Sequence, residues 1–247
     1  MLKLLSGDIG GTRVRLALFD MAAGKAEVLE QRTYTSADYS TFTEILADFS
    51  SRTDSACAAA CFGVAGPVEA GRSRITNLPW TIDARELEAT FGWPRVGLLN
   101  DLEAIAWGIG ALEEQDFCTL NAGQSRAGGN QAVIAAGTGL GQAGRVWDGR
   151  RHRPLACEGG HADFAPGSPT ETALLAWLEA RFDHVSWERV VSGQGLVNIH
   201  AFLRDHRKVK TPGWLQEQLQ AGDAAAAISN AALAGRDEIC REALDLF

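Results

Sequence analysis

Four short stretches of this sequence combine residue types able to do chemistry. Two are Gly-rich, Gly7-Asp8-Ile9-Gly10-Gly11-Thr12 and Gly137-Thr138-Gly139-Leu140-Gly141. A hairpin turn with several glycines lets backbone N–H groups converge without side-chain clash, and the resulting concavity suits phosphate oxygens. Asp8 inside such a turn can hold the hydrated magnesium that accompanies a nucleotide. One such turn alone reads as an ordinary tight hairpin. Two on the same plan point to an anion. The third stretch, Asn100-Asp101, stands where a strand hands over to a helix; it either caps that helix or faces a ligand. In the fourth, Glu158-Gly159-Gly160-His161, two polar side chains flank two glycines, so the turn must approach something closely. Together an Asn, an Asp, a Glu and a His supply the directional hydrogen bonds that a polyhydroxylated ligand such as a sugar demands.

Competing chemistries fail on context. Gly139-Leu140-Gly141-Gln142-Ala143-Gly144 fits G-x-G-x-x-G, but that fingerprint must open a helix aimed at pyrophosphate, and Gln142 to Trp147 reads as a strand. No G-x-x-x-x-G-K-[ST] occurs, which excludes a P-loop enzyme. A metal held by His161 and carboxylates lacks a second well-placed histidine.

The elements that must position these residues follow from periodicity. Leu2 to Ser6 and Arg13 to Phe19 read as strands around the first Gly-rich turn, and Glu27 to Tyr34 as a third. Phe42, Ile45, Leu46 and Phe49 form the stripe of an amphipathic helix over Thr41 to Phe49. Ala56 to Ala65 is a small-apolar run suited to a strand buried on both faces. Asp83 and Glu86 predict a capped helix to Phe91, Arg95 to Leu99 a strand, and Leu102 to Ile109 a helix. Gln131 to Ala136 and Gln142 to Trp147 flank the second turn as strands, and Asp148-Gly149 turns the chain. Ser168-Pro169-Thr170-Glu171 caps a helix over Ala173 to Phe182. Leu196 to Arg204, Asp223 to Leu233 and Arg236 to Phe247 are further helices. The repeated strand, turn and strand predicts two domains of like design.

The remaining arithmetic narrows the class. The 247 residues are 46% hydrophobic and 22% charged, an ordinary globular balance with enough apolar material for a core. The formal charge of −8 argues against nucleic acid, and Arg150-Arg151-His152-Arg153 reads as a solvated turn. Five scattered cysteines, with no C-x-x-C pair, fit a reducing cytoplasm rather than a disulfide framework or structural zinc. No run is long enough for a membrane span, and no signal peptide is apparent.

Six motifs in register carry a resemblance. Gly7 to Thr12, Asn77-Leu78-Pro79-Trp80, Leu99-Asn100-Asp101, Gly137 to Gly141, Glu158 to Pro166 and Glu188-Arg189-Val190 resemble the bacterial glucokinase family over essentially the whole chain. The resemblance implies an α/β fold of two actin-like (ribonuclease H-like) domains flanking a cleft. These would be a small domain at 1–110 with the first phosphate hairpin and the catalytic residue, and a larger one at 111–247 with the second hairpin and the sugar-binding residues. It implies ATP-dependent transfer of the γ-phosphoryl group to the 6-hydroxyl of glucose or a closely related hexose. A non-catalytic sugar-binding or sensing protein of the same fold is the alternative.

By the same resemblance Asp101 would be the general base, with Asn77, Asn100, Asp101, Glu158, His161 and Glu188 contacting sugar. Asp8, Gly10, Gly11 and Thr12 would face the phosphates from the first domain, with Asp8 reaching Mg through water, and Gly137, Thr138 and Gly139 from the second. The related repressor and sugar-kinase group with a cysteine-rich zinc motif is disfavoured, since no cysteine follows His161 before Cys240. The family's usual Ser-Gly-Pro-Gly is here Ser192-Gly193-Gln194-Gly195. The family also continues past the position matching Phe247 with a Gly-rich adenosine-binding motif and a terminal helix. The expectation is therefore a second domain incomplete at its C-terminus, weak or absent turnover, and an uncovered apolar face on Arg236 to Phe247 that favours a homodimer.

Overall fold

Alternating burial along the first strands sets up a sheet with two different faces. In β1 (Lys3–Ile9) and β2 (Arg13–Ala22), Leu5, Ile9, Val14, Leu16 and Leu18 are buried, while Ser6, Asp8 and Arg15 point to the opposite, exposed face. β3 (Lys25–Thr35) extends this antiparallel ribbon. The computed structural model describes residues 2–22, 25–53, 57–75, 78–124, 126 and 128–247.

The chain then crosses over through α1 (Phe42–Arg52). Its buried Phe42, Ile45, Leu46 and Phe49 are the expected stripe, and the Thr41 side chain accepts the Glu44 amide at its start. β4 (Ala59–Val64) returns parallel to β1. Three short antiparallel strands, β5 (Val68–Glu69), β6 (Arg72–Arg74) and β7 (Thr81–Asp83), form a small separate sheet. Asp83 caps α2 (Ala84–Phe91), accepting the Arg85 and Glu86 amides. β8 (Val96–Asn100) lies parallel to β4 and leads directly into α3 (Asp101–Gly108). The five-stranded order is β3-β2-β1-β4-β8. Ile9, Val64 and Asn100 fall in one row across it, so the three parallel strands end level with one another. That is the edge at which open α/β sheets place ligands.

β9 (Gln131–Ala136) and β10 (Leu140–Trp147) flank the second Gly-rich turn, and with β11 (His152–Cys157) they form a sheet in the order β11-β10-β9. Helices follow: α4 (Pro169–Glu179), α5 (Gly193–Arg207), α6 (Gly213–Ala221), α7 (Ala224–Leu233) and α8 (Glu238–Leu246). Packing divides the chain into two units, Met1–Asn130 with Arg145–Ala156, and Gln131–Gly144 with Cys157–Phe247. Each has its own core. Phe62, edge-on to Phe42 at 5.1 Å, is central to the first, and Leu174, Ile199 and Leu215 are fully buried in the second. Among the described residues no helix is long and apolar enough to cross a membrane.

Four features depart from the sequence expectation. Asp8 lies within β1, paired with Arg15, rather than inside the turn, because the strand ladder continues to Ile9↔Val14. The basic run is not wholly a turn: His152 and Arg153 start β11, and His152 Nε2 contacts the Gly129 carbonyl at 2.8 Å. α6 and the small β5-β6-β7 sheet were not anticipated; their strands are two or three residues long, too short to show alternation. Finally, the α8 face is largely covered. Cys240 and Ala243 are buried, Ile239, Leu244 and Leu246 pack against the second core, and of the face's large apolar side chains only Phe247 is exposed. The expected reason for a homodimer is therefore weakened.

Candidate active site

In the first unit the site is built on the level ends of β1, β4 and β8. Asn100 ends β8 and caps α3: its side-chain oxygen accepts the amides of Leu102 at 3.0 Å and Glu103 at 3.4 Å, while its amide nitrogen donates to the Gly66 carbonyl at 3.3 Å. The capping alternative for this residue is thus realised. Asp101, the first helical residue, accepts the Leu102 amide at 2.8 Å. Gly63 lets α3 sit this low on the sheet. A Cβ there would lie 3.2 Å from the Ala104 Cβ and 3.8 Å from the Asp101 Cα.

Asp8 and Asp101 line a common pocket of about 390 Å³ whose walls also include Arg15, Gln31 and Gly63. Burial pushes the Asp101 carboxyl above its ordinary value, and the negative charge of Asp8 adds to that; the Leu102 amide opposes it. A half-buried carboxylate with a raised pKa holds a proton more readily, as a general base requires. Arg15 was not singled out from sequence, yet the register Asp8↔Arg15 puts it on the same face of the sheet. The turn itself is held from outside: Gly10 N–H donates to the Arg13 carbonyl at 2.9 Å, and Ser36 donates its hydroxyl to Gly10 and its amide to Thr12.

In the second unit three separated stretches converge. Gly137 N–H closes its turn on the Gly139 carbonyl at 2.8 Å, and Gly193 N–H, at the start of α5, donates to the Gly137 carbonyl at 2.8 Å. Glu188, on a single 3-10 turn at Trp187–Arg189, accepts the Leu140 amide at 2.9 Å through Oε2. A side chain at Gly139 would collide with that carboxylate. Gly160 lies against the Leu140 carbonyl, which fixes the turn Gly159–His161 beside the same hairpin. Glu158 and His161 project outward, 3.9 Å apart and mostly exposed. His161 and Glu188 line one cavity of about 400 Å³, together with His184, Ser186 and Arg189.

Asp8 and Asp101 thus meet in the first unit, with Asn100 beside them and the turn of Gly10, Gly11 and Thr12 at the end of β1. Glu158, His161, Glu188 and the turn of Gly137, Thr138 and Gly139 cluster in the second. Asn77 lies outside the described residues. The link from Glu188 to the second hairpin spans 48 residues and had no signature in sequence.

A sheet of order β3-β2-β1-β4-β8, with a Gly-rich first hairpin, a carboxylate at the end of β8 and a second hairpin of like plan, defines a sugar kinase of the actin-like ATPase fold. The Glucokinase family model matches residues 5–247. A glucokinase from Nostoc sp. (strain PCC 7120) is 39% identical, aligned over 100% of this chain and 77% of its own length. Among solved structures, a glucokinase from an Antarctic psychrotroph superposes with a TM-score of 0.80 at 30% identity, covering 99% of this chain and 74% of that one. A ROK family glucokinase from Streptomyces griseus, in complex with glucose and AMPPNP, shares the fold with a TM-score of 0.57 at 23% identity, over 98% of this chain and 74% of its own. The chain belongs to the glucokinase family, whose activity is ATP-dependent phosphorylation of a hexose.

Proposed function

We propose that Asp101 takes the proton from the 6-hydroxyl of a bound glucose as that oxygen receives the γ-phosphoryl group of ATP. The observation that carries this reading is the placement of Asp101, half-buried at the start of α3, in one pocket with Asp8 and with its pKa raised. Phosphoryl transfer depends mainly on positioning and charge neutralisation, so one carboxylate that orients and deprotonates the hydroxyl suffices as base.

The residues at the first turn fit a hydrated magnesium. Asp8 is an exposed, hard oxygen donor on the pocket wall, with no hydrogen bond or ion pair among the described residues. When bound, the ion would neutralise phosphate charge. The backbone at Gly10, Gly11 and Thr12, and at Gly137, Thr138 and Gly139, would face phosphate oxygens. Glu158, His161 and Glu188 would hold sugar hydroxyls, with Asn100 and Asn77 as further contacts. Asn100 already spends its side chain on Leu102, Glu103 and Gly66, so its sugar contact would use remaining hydrogen-bonding capacity. In this reading residues 1–110 form the domain of the base and first hairpin, and residues 111–247 that of the second hairpin and the sugar-binding side chains. A cytoplasmic setting is supported by five free thiols.

The test is a coupled assay with ATP, magnesium and glucose on the wild type and Asp101→Asn. The expected result is that whatever turnover the wild type shows, in a full-length background if this chain alone shows none, disappears in the variant while glucose still binds. Unchanged kcat would remove Asp101 from the role of base.

A further inference from the structure

Away from the active site, the second unit holds three potential metal ligands that no catalytic role uses. His200 projects from the middle of α5, and Asp237 and Cys240 stand at the start of α8. One ligand atom from each lies within 4.8 Å of the others. Asp237 is the helix cap, its Oδ1 accepting the Cys240 amide at 2.8 Å. That bond accounts for Asp237. It does not account for His200, which is only 4% exposed and has no hydrogen-bond partner among the described residues. A nearly buried imidazole with no protein partner keeps a ring nitrogen free to ligate a cation. Cys240 is fully buried alongside it.

We propose that His200, Asp237 and Cys240 bind a zinc ion that ties α5 to α8, with a water as fourth ligand on the partly exposed Asp237 side. The donor chemistry selects the metal. One imidazole, one thiolate and one carboxylate form a mixed N, S and O set suited to zinc, whereas magnesium and calcium take oxygen donors almost throughout. Binding replaces the Cys240 thiol proton, which leaves to solvent, and puts the cation between the thiolate and the Asp237 carboxylate. The arrangement lies outside any C-x-x-C pattern, with Asp237 37 positions after His200. Sequence spacing alone could not have shown it.

Cobalt(II) is the probe, since a Co–thiolate bond gives a near-ultraviolet charge-transfer band that carboxylate or imidazole sites lack. The full chain, reduced and stripped with chelator, is titrated with cobalt and then with zinc. One equivalent of cobalt should produce the band, and one equivalent of zinc should abolish it. Cys240→Ala and His200→Gln should each lose or weaken binding by at least about tenfold. Asp237→Asn separates ligation from capping, because asparagine caps a helix as well as aspartate does. It should keep the thermal stability of the metal-free protein yet weaken cobalt by about tenfold or more. A chain with Cys57, Cys61, Cys118 and Cys157 all replaced by serine should keep the band. If Cys240→Ala fails to fold, His200→Gln and Asp237→Asn still decide. A band that survives in those two variants, or no band at one equivalent, overturns the assignment and leaves a helix cap beside a buried thiol.

Discussion

The two Gly-rich hairpins follow one plan but obtain their carboxylates differently. The first carries its own: Asp8 is on the strand that enters the turn, and the ladder partner Arg15 leaves from it. The second has no acidic residue between Gln131 and Trp147. It borrows Glu188, whose Oε2 is fixed by the Leu140 amide 48 residues back. The consequence is mechanical. In the first unit, cation binding and turn geometry are properties of one hairpin. In the second, the side chain proposed to read the sugar is bolted to the hairpin proposed to face phosphate. Changes at Glu188 should therefore be felt in both sugar and nucleotide binding, whereas changes at Asp8 should be felt in nucleotide binding alone.

The largest expected effect tests whether the chemistry resides in the first unit. Asp101→Asn should lower kcat by about 10²–10⁴-fold while leaving glucose affinity within about tenfold, because an amide keeps the hydrogen bonding and cannot take the proton. Single-turnover rates with glucose calorimetry read both quantities. A variant that loses glucose affinity but keeps its rate at saturation would reverse the division of labour between the units.

Next in size is the set of side chains in the second unit proposed to read the sugar. Glu158→Ala should weaken glucose binding by about 1–3 kcal/mol with little change in the melting temperature, since its side chain is exposed and its contact with His161, at 3.9 Å, is solvent-screened. Glu188→Ala should differ in kind. It removes the acceptor of the Leu140 amide as well as the proposed hydroxyl partner, so the affinities for glucose and for AMPPNP should both fall. Glu188→Gln, which can still accept that amide, should recover the nucleotide half of the loss. Equal nucleotide affinity across all three variants would mean that the borrowed carboxylate is not mechanically tied to the hairpin.

What was legible in the sequence follows the same divide. Around the first hairpin, everything needed is local. Alternation from Arg13 to Phe19 fixes the strand, Thr41 and Asp83 announce their helices, and Asn100-Asp101 marks the end of β8. The register itself had to be seen, and with it came Arg15 and the correct position of Asp8 in β1. In the second unit the motifs were visible but their assembly was not. Gly139, Gly160 and Glu188 come together through contacts between segments far apart in sequence, which leave no periodicity. The same holds for His200 and Cys240, each of which reads as an ordinary core position on an amphipathic helix. Short strands such as β6 carry too few residues to reveal a pattern.

A smaller effect separates the two turns directly. At Gly139 a methyl group would displace the Glu188 carboxylate, whereas at Gly10 it would approach the Arg13 carbonyl at 3.2 Å, a gap that a slight shift relieves. Gly139→Ala should raise the KM for glucose by about tenfold, consistent with losing one charge-assisted hydrogen bond, and Gly10→Ala should cost only about twofold in the KM for ATP. If Gly10→Ala proves the more damaging, the first turn is the tighter of the two.

The smallest expected effect is on stability, and it arises because the Asp101 carboxylate is half-buried at a cost to the fold. Burial and the charge of Asp8 raise the Asp101 pKa in the folded protein above its value in the unfolded chain. Between those two values the folded state binds more protons than the unfolded state, so stability falls as pH rises through the interval. The penalty is absent below the ordinary aspartate range and fully present above the raised value. Asp101→Asn removes the charge while its side-chain oxygen can still accept the Leu102 amide, so the variant should melt at a higher temperature than the wild type at pH 7. The gain should shrink as pH is lowered and vanish below about pH 4, where the wild-type carboxyl is protonated in both states. Asp8→Asn should give part of the same gain, because it removes the like charge but leaves Asp101 buried. Melting curves of the wild type and both variants from acid to neutral pH measure this. A difference between wild type and Asp101→Asn that stays constant across that range would show that the stability effect comes from packing at the start of α3 rather than from the charge held there.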